Sequence, residues 1–210
     1  CAGDGLAAVF RDLGCDAVVS GGQTMNPSTE SILAGIDQVP AETVFVLPNN
    51  GNIIMAAQQV DALTPKNVVV IGSKTVPQGV TAMLNFNPEE TEENLIAAMN
   101  EAAGNVHTAM VTYAARDSDF DGHEIHAGEY LALLDGALLG SYSSEKTLFK
   151  ELSWAFDELS PEFITVYYGS DVAEDKANEA AETIIGCFPD AEVSVVNGGQ
   201  PVYYYMISVE

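Results

Sequence analysis

The sequence predicts an α/β protein of two domains, and three observations support this. Short β-branched runs alternate with helical patterns through the first half of the chain. The second half shows successive short strands with Asp-Gly or similar turns, followed by two amphipathic helices. The chain has 210 residues, 47% of them hydrophobic, which is enough for sizeable cores. We expect a doubly wound parallel sheet over residues 1–105, then an α+β domain with a mixed, mainly antiparallel sheet over residues 106–210.

The first domain follows a regular order of strands and helices. An apolar helical face near the start of the chain ends at Gly14. Asn26 and Pro27 predict the start of the next helix, as N-cap and first-turn proline. Continuously apolar strands between helices are typical of a parallel sheet covered on both faces. We place strands at residues 17–20, 43–47 and 67–71, with further helices over residues 51–63, from residue 77 or 78, and up to residue 104.

The second domain begins with a predicted antiparallel meander, because its strands are short and joined by tight turns. Helices are expected from Ser144 and from Asp171, where Glu174 would complete a capping box. The predicted strands are residues 106–115, 119–125, 129–135, 137–142, 163–168, 192–196 and 202–209.

Charge and composition argue against several classes of function. Seven basic residues stand against 31 acidic ones, giving a formal net charge of −24. Such a field repels nucleic acid and anionic lipid surfaces, and no apolar run approaches the roughly 20 residues of a membrane span. We therefore expect no nucleic acid partner and no membrane insertion. The widely spaced Cys1, Cys15 and Cys187 indicate a reducing cytoplasm rather than a disulfide framework or a metal knuckle.

Three polar loops, each following a predicted strand of the first half, form the candidate site. In an open parallel sheet such loops meet at the carboxyl edge, where free N–H groups line a crevice that suits a small carboxylate or phosphate. The alternative is that the same residues only cap helices and turn the chain. The candidate ligand- or partner-binding residues are Ser20, Gly21, Gly22, Gln23, Thr24, Asn49, Asn50, Asn52 and Thr75, with Gln200 in a later turn as an opposing group.

One acidic segment imitates a calcium loop. Asp117, Asp119 and Asp121 match the opening of an EF-hand, but the twelfth position, where a ligating Glu is required, holds Gly128. We predict a hairpin turn at Asp121 and Gly122 and no calcium or other metal site.

Motifs for nucleophilic or phosphoryl-transfer chemistry are also incomplete. Residues 72–75 (GSKT) are only a fragment of a phosphate-binding loop, and no Gly-x-Ser-x-Gly elbow occurs. The sequence therefore predicts no catalytic residue in this chain. Because no initiator Met or leader precedes Cys1, we expect a piece of a longer protein.

Several longer runs are specific enough to indicate a family. They are residues 20–29 (SGGQTMNPST), 47–50 with 52–53, Thr75 with 77–79, 86–88, 113–114 with 116–117, 167–169 and 197–201. These runs resemble the C-terminal region of bacterial DAK2-domain, dihydroxyacetone kinase-like proteins, which include the catalytic subunit of fatty acid kinase. The resemblance spans essentially the whole chain.

The resemblance implies a DegV-like fold and a role beside a DegV-type protein that carries the fatty acid. In that family the kinase phosphorylates the partner-bound fatty acid for phospholipid synthesis, and an N-terminal domain absent here binds ATP and Mg²⁺. We therefore expect a non-catalytic docking and assembly module, itself inactive and without a cofactor, and forming a homodimer. The alternatives are an acyl-chain binding module of DegV type or an independent small-molecule enzyme.

Overall fold

The computed structural model describes residues 1–120 and 123–210, apart from the side chains of Gln23, Phe120 and His123. Residues 1–106 make one unit and residues 107–210 the other. The first unit carries a parallel pair of strands, and the second a mixed six-stranded sheet. No helix in the described ranges is both long and apolar enough to cross a membrane.

The first unit has helices on both sides of its parallel strands. Val44 packs with helix residues such as Ile32 on one side, while Val69 packs with Ala82 and Met99 on the other. This arrangement confirms the doubly wound prediction. Its elements are α1 (Asp4–Asp12), α2 (Thr29–Gln38), β1 (Thr43–Val46), α3 (Ile54–Val60), β2 (Asn67–Val70), α4 (Val76–Leu84) and α5 (Glu92–Gly104), with 3-10 turns at Gly22–Thr24 and Asp61–Leu63.

Two local predictions in the first unit are wrong. Residues 17–20 belong to no strand, since β1 forms a ladder with β2 on one edge only within the described structure. Helix α2 starts after Ser28 and not at Asn26, because Ser28 Oγ accepts the N–H of Ser31 at 3.2 Å. Pro27 therefore precedes the helix.

The second unit is built on one mixed sheet with two helices packed against it. Its strand order is β7-β6-β3-β10-β8-β9, and every pairing is antiparallel except that of β8 with β9, which α7 connects. The mainly antiparallel prediction is confirmed. Its elements are β3 (His107–Tyr113), β4 (Ser118–Phe120), β5 (His123–Ile125), β6 (Tyr130–Leu134), β7 (Ala137–Tyr142), α6 (Glu145–Asp157), β8 (Phe163–Tyr168), α7 (Glu174–Cys187), β9 (Glu192–Asn197) and β10 (Tyr205–Val209).

The core of the second unit lies between the sheet and α6 and α7. Buried residues such as Phe156, Ile184 and Ile207 form one cluster there. Helix α6 begins after Ser144, as predicted, and Ser144 Oγ accepts the N–H of Thr147 at 3.3 Å.

Three predictions in the second unit end differently. Helix α7 starts after Ala173, which has no side chain able to cap it, so the cap expected at Asp171 is wrong. Strand β10 starts at Tyr205 and not at Val202, whose φ of +71° does not fit a strand. Strands β4 and β5 pair with each other, but the turn predicted at Asp121 and Gly122 lies outside the described residues.

Candidate functional site at the ends of the parallel strands

The loops after β1 and β2 are joined by two reciprocal hydrogen bonds between Asn49 and Ser73. Ser73 Oγ donates to Asn49 Oδ1 at 2.8 Å and accepts the backbone N–H of Asn49 at 3.2 Å. The pair keeps the offset of 24 residues that the ladder shows where Val46 faces Val70. Ser73 is fully buried, so Asn49 satisfies a hydroxyl that water does not reach. Ser73 was not among the predicted site residues.

Helix α4 approaches the Asn49 side chain through Gly79. A Cβ added at Gly79 would overlap the Oδ1 of Asn49, so the approach requires glycine. Asn49 has a φ of +55°, a left-handed conformation that Asn tolerates better than most residues. These contacts hold the Asn49 amide in place, which is a structural role.

The first predicted loop uses its hydroxyls internally. Ser20 Oγ accepts the N–H of Gly22 at 3.2 Å, and Thr24 Oγ1 donates to the carbonyl of Gly21 at 3.1 Å. The backbone of Gln23 lies in the 3-10 turn, and its side chain is outside the described set. This loop is mostly exposed.

A hydrogen bond between two amides brings the first and second loops together. Asn50 Nδ2 donates to Asn26 Oδ1 at 3.4 Å, while Asn50 Oδ1 accepts the backbone N–H of Asn52 at 3.0 Å. Asn52 and Asn26 are exposed or half-buried, so the bridge lies at the surface. The sequence analysis treated Asn26 only as a helix cap, and the structure makes it part of this group.

The third loop serves the start of α4. Thr75 Oγ1 accepts the N–H of Gln78 at 3.3 Å, and Gln78 Oε1 accepts the N–H of Lys74 at 2.8 Å. This is a helix cap with a second side chain reaching back along the chain. Thr75 therefore has the capping role that the sequence analysis kept as an alternative.

Gln200 lies in the second unit and is almost fully buried. Its Nε2 donates to the carbonyl of Tyr167 at 3.0 Å. Its Oε1 is buried without a hydrogen-bond partner in the described part of the protein. Gln200 thus anchors the turn that precedes β10.

The first unit contains a cavity of about 290 Å³ along the open edge of β1. Every residue of β1 lines it, as do residues 17–19. The cavity therefore lies where the predicted strand at residues 17–20 would have paired with β1. Most of the lining side chains are apolar, and they include Phe10, Val19, Ile32, Ile36, Val44, Val46, Ile53, Met83, Phe86 and Met99.

Polar groups line the cavity at the loops and at the start of the chain. Gly21, Asn49 and Asn50 belong to the candidate loops, and Cys1 and Cys15 add two thiols. The sequence analysis did not identify this cavity, because its lining comes from residues far apart in the chain.

The Cys15 thiol is held in its protonated form. Its Sγ donates to the carbonyl of Ala17 at 3.1 Å. Burial is the main cause that raises the pKa of the Cys15 thiol, and the nearby Asp16 raises it further. A protonated thiol is a poor nucleophile, so the chemistry of this lining is that of a binding site.

Solved structures with the same fold define the class of this protein. A DegV family protein from Corynebacterium glutamicum has a TM-score of 0.67 at 13% identity, covering 97% of this chain and 91% of that chain. The Streptococcus pneumoniae fatty acid kinase B3 protein loaded with linoleic acid has a TM-score of 0.62 at 13% identity, covering 88% and 76%. The fold is therefore DegV-like, as the sequence resemblance implied.

The sequence comparisons then give the family. All 210 residues match the model of the FakA-like C-terminal family of fatty acid kinase proteins, and this chain belongs to it. Protein YloV of Bacillus subtilis is 40% identical over 212 residues, and an uncharacterized protein of Staphylococcus aureus strain USA300 is 36% identical over 208 residues. Each alignment covers 99% of this chain but 38% of the relative, so the chain spans well under half the length of these proteins.

Proposed function

We propose that this chain is a non-catalytic module of a fatty-acid-kinase-like protein and that its first unit binds a fatty acyl chain. The cavity along β1 is the observation that carries the proposal. Its volume of about 290 Å³ is near the lower end of the range of about 300–1,000 Å³ typical of small-molecule sites. Its lining is mainly apolar, as an alkyl chain requires.

The loop groups would hold the polar head of such a ligand. Asn50 Nδ2 makes only a long hydrogen bond of 3.4 Å to Asn26, so it can turn toward a carboxylate with little loss. Asn49, by contrast, is already engaged by Ser73. We therefore assign the head-group contact to Asn50 and treat Asn49 as its structural support.

Solved proteins of this fold support the ligand class. The S. pneumoniae protein is loaded with linoleic acid, and DegV from B. subtilis is described as a fatty acid binding protein, with a TM-score of 0.60 at 15% identity over 87% of this chain. In our proposal, ATP, Mg²⁺ and the phosphoryl transfer belong to the rest of the parent protein. The three free cysteines support a cytoplasmic location.

Native mass spectrometry of the delipidated chain with palmitate tests the acyl proposal. We expect one palmitate per chain, with B. subtilis DegV as the positive control. Val46→Phe, which places a ring in the cavity, should abolish the complex, whereas Met55→Ala at an exposed position should not. A chain that stays free of palmitate while DegV binds it would show that the cavity is not an acyl site.

Docking to a DegV-type protein that carries the fatty acid is the second candidate function, and a homodimer would use the same kind of surface. Trp154 on α6 favours it, because this large ring is 59% exposed with Lys150 Nζ 5.0 Å from its centroid. Exposed tryptophans are frequent anchors of protein interfaces. Trp154→Ala should weaken binding of the full-length kinase-like protein to its DegV-type partner about tenfold. Met55→Ala is the matched control, and equal affinities for both variants would contradict the docking role.

A further inference from the structure

Three tyrosine rings gather at one end of the sheet in the second unit. The Tyr204 ring centroid is 5.7 Å from that of Tyr113 and 5.7 Å from that of Tyr130. Tyr113 and Tyr130 are cross-strand partners at the end of β3 and the start of β6. Tyr113 is 46% exposed, and the other two are half-buried. We call these three residues the tyrosine cluster.

A carboxylate faces the same cluster. Glu145, at the start of α6, accepts a hydrogen bond from the Tyr205 hydroxyl at 3.4 Å. Its charge also acts on the phenols of Tyr130 and Tyr204. Partial burial is the main cause that raises the pKa of Glu145, so its negative charge is incompletely compensated.

Cations of this chain do little to compensate that charge. Lys176 acts on Glu145, but its Nζ is bound to Glu179 at 2.6 Å. In the described structure the ring with a cation over it is Trp154, not a member of the tyrosine cluster. The whole sequence has only seven basic residues against 31 acidic ones. A cation for this surface is therefore expected from another molecule.

We propose that the tyrosine cluster and Glu145 bind an arginine side chain of a partner protein. A guanidinium stacks on aromatic faces through cation–π attraction and makes two parallel hydrogen bonds to one carboxylate. The cluster offers both partners side by side. The open position of Tyr113 suits a side chain presented on a protein surface, since an enclosed cage would be needed to hold a small free cation strongly.

Nuclear magnetic resonance of the tyrosine rings tests this with N-acetylarginine amide as the probe. The matched control probe is N-acetylcitrulline amide, which has the same shape without the charge. We expect saturable shifts of Tyr113, Tyr130 and Tyr204 with the arginine probe, and binding at least about fivefold weaker with citrulline. Equal shifts with both probes, or shifts spread over the acidic surface, would overturn the proposal.

Variants locate the site. Tyr113→Leu and Glu145→Gln should each weaken binding of the arginine probe about fivefold. Trp154→Ala is the control and should leave it unchanged. Unchanged binding in both Tyr113→Leu and Glu145→Gln would refute the site. Tighter binding of tetramethylammonium than of the arginine probe would refute the assignment to arginine and indicate a small quaternary ammonium ligand instead.

Discussion

Asn49 and Ser73 exchange two hydrogen bonds across the ends of neighbouring parallel strands, 24 residues apart, and so continue the register of the strand pair into the loops. The ladder ends with Val46 facing Val70, and the side chains take over three residues later. The polar edge of the first unit is thus an extension of its sheet.

Asn49→Ala should lower the free energy of unfolding by about 2 kcal/mol. The change leaves the buried Ser73 hydroxyl without its acceptor and places alanine at a φ of +55°. Urea unfolding measures the effect. Asn52→Ala, at an exposed position of the same loop, is the control and should change the stability by less than about 0.5 kcal/mol. Equal stabilities of the two variants would show that Asn49 is not a structural residue.

The sequence allowed the layers of the fold to be predicted, because β1 and β2 are continuous apolar runs that pack on helices at both faces. It also allowed the start of α6 to be predicted, since Ser144 caps its own helix locally. Asn26 and Asp171 resemble caps equally well, but Ser28 and Ala173 take those positions. Local capping preference cannot decide between candidates two residues apart.

The site was less predictable because its key contacts are not local. Ser73 lies in a run that resembles a fragment of a phosphate loop, so its bond to Asn49 is visible only through the strand register. The strand predicted at residues 17–20 is apolar enough, yet it lines a cavity instead of pairing with β1. Sequence alone does not show whether an apolar segment pairs with a strand or lines a space beside it.

Two glycine-to-alanine substitutions should act in opposite directions. Gly79→Ala should destabilise the protein by about 2 kcal/mol, because the added methyl group overlaps the Asn49 amide. Gly186→Ala in α7 should stabilise it by about 0.5 kcal/mol, because the site is open and alanine is the better helix former. Thermal unfolding of both variants makes the comparison, and a stabilising Gly79→Ala would disprove the close approach of α4.

Glu145→Gln should raise the melting temperature at pH 7. The fold raises the pKa of this carboxyl above its ordinary value of 4.5, mainly through burial. The protonated form is thus the one the fold favours, and its contribution to stability is complete below pH 4.5 and lost as the pH rises through the folded-state pKa. The neutral amide avoids that loss. The difference between variant and wild type should vanish as the pH is lowered to about 4, and a difference that grows there would contradict the burial of Glu145.

Cys15 should be alkylated by iodoacetamide at pH 8 more slowly than Cys187. The fold raises the pKa of the Cys15 thiol and leaves the side chain only partly accessible, whereas Cys187 is exposed. Because Cys15 lines the cavity, palmitate should slow its alkylation further, a result that rests on the proposed acyl site. Peptide mass spectrometry over time measures both rates in one sample, with Cys187 as the internal control. Slow alkylation of Cys15 that palmitate does not change would confirm its burial and exclude the cavity as the acyl site, whereas equal slowing at Cys187 would show that palmitate acts on the whole protein and not on this cavity.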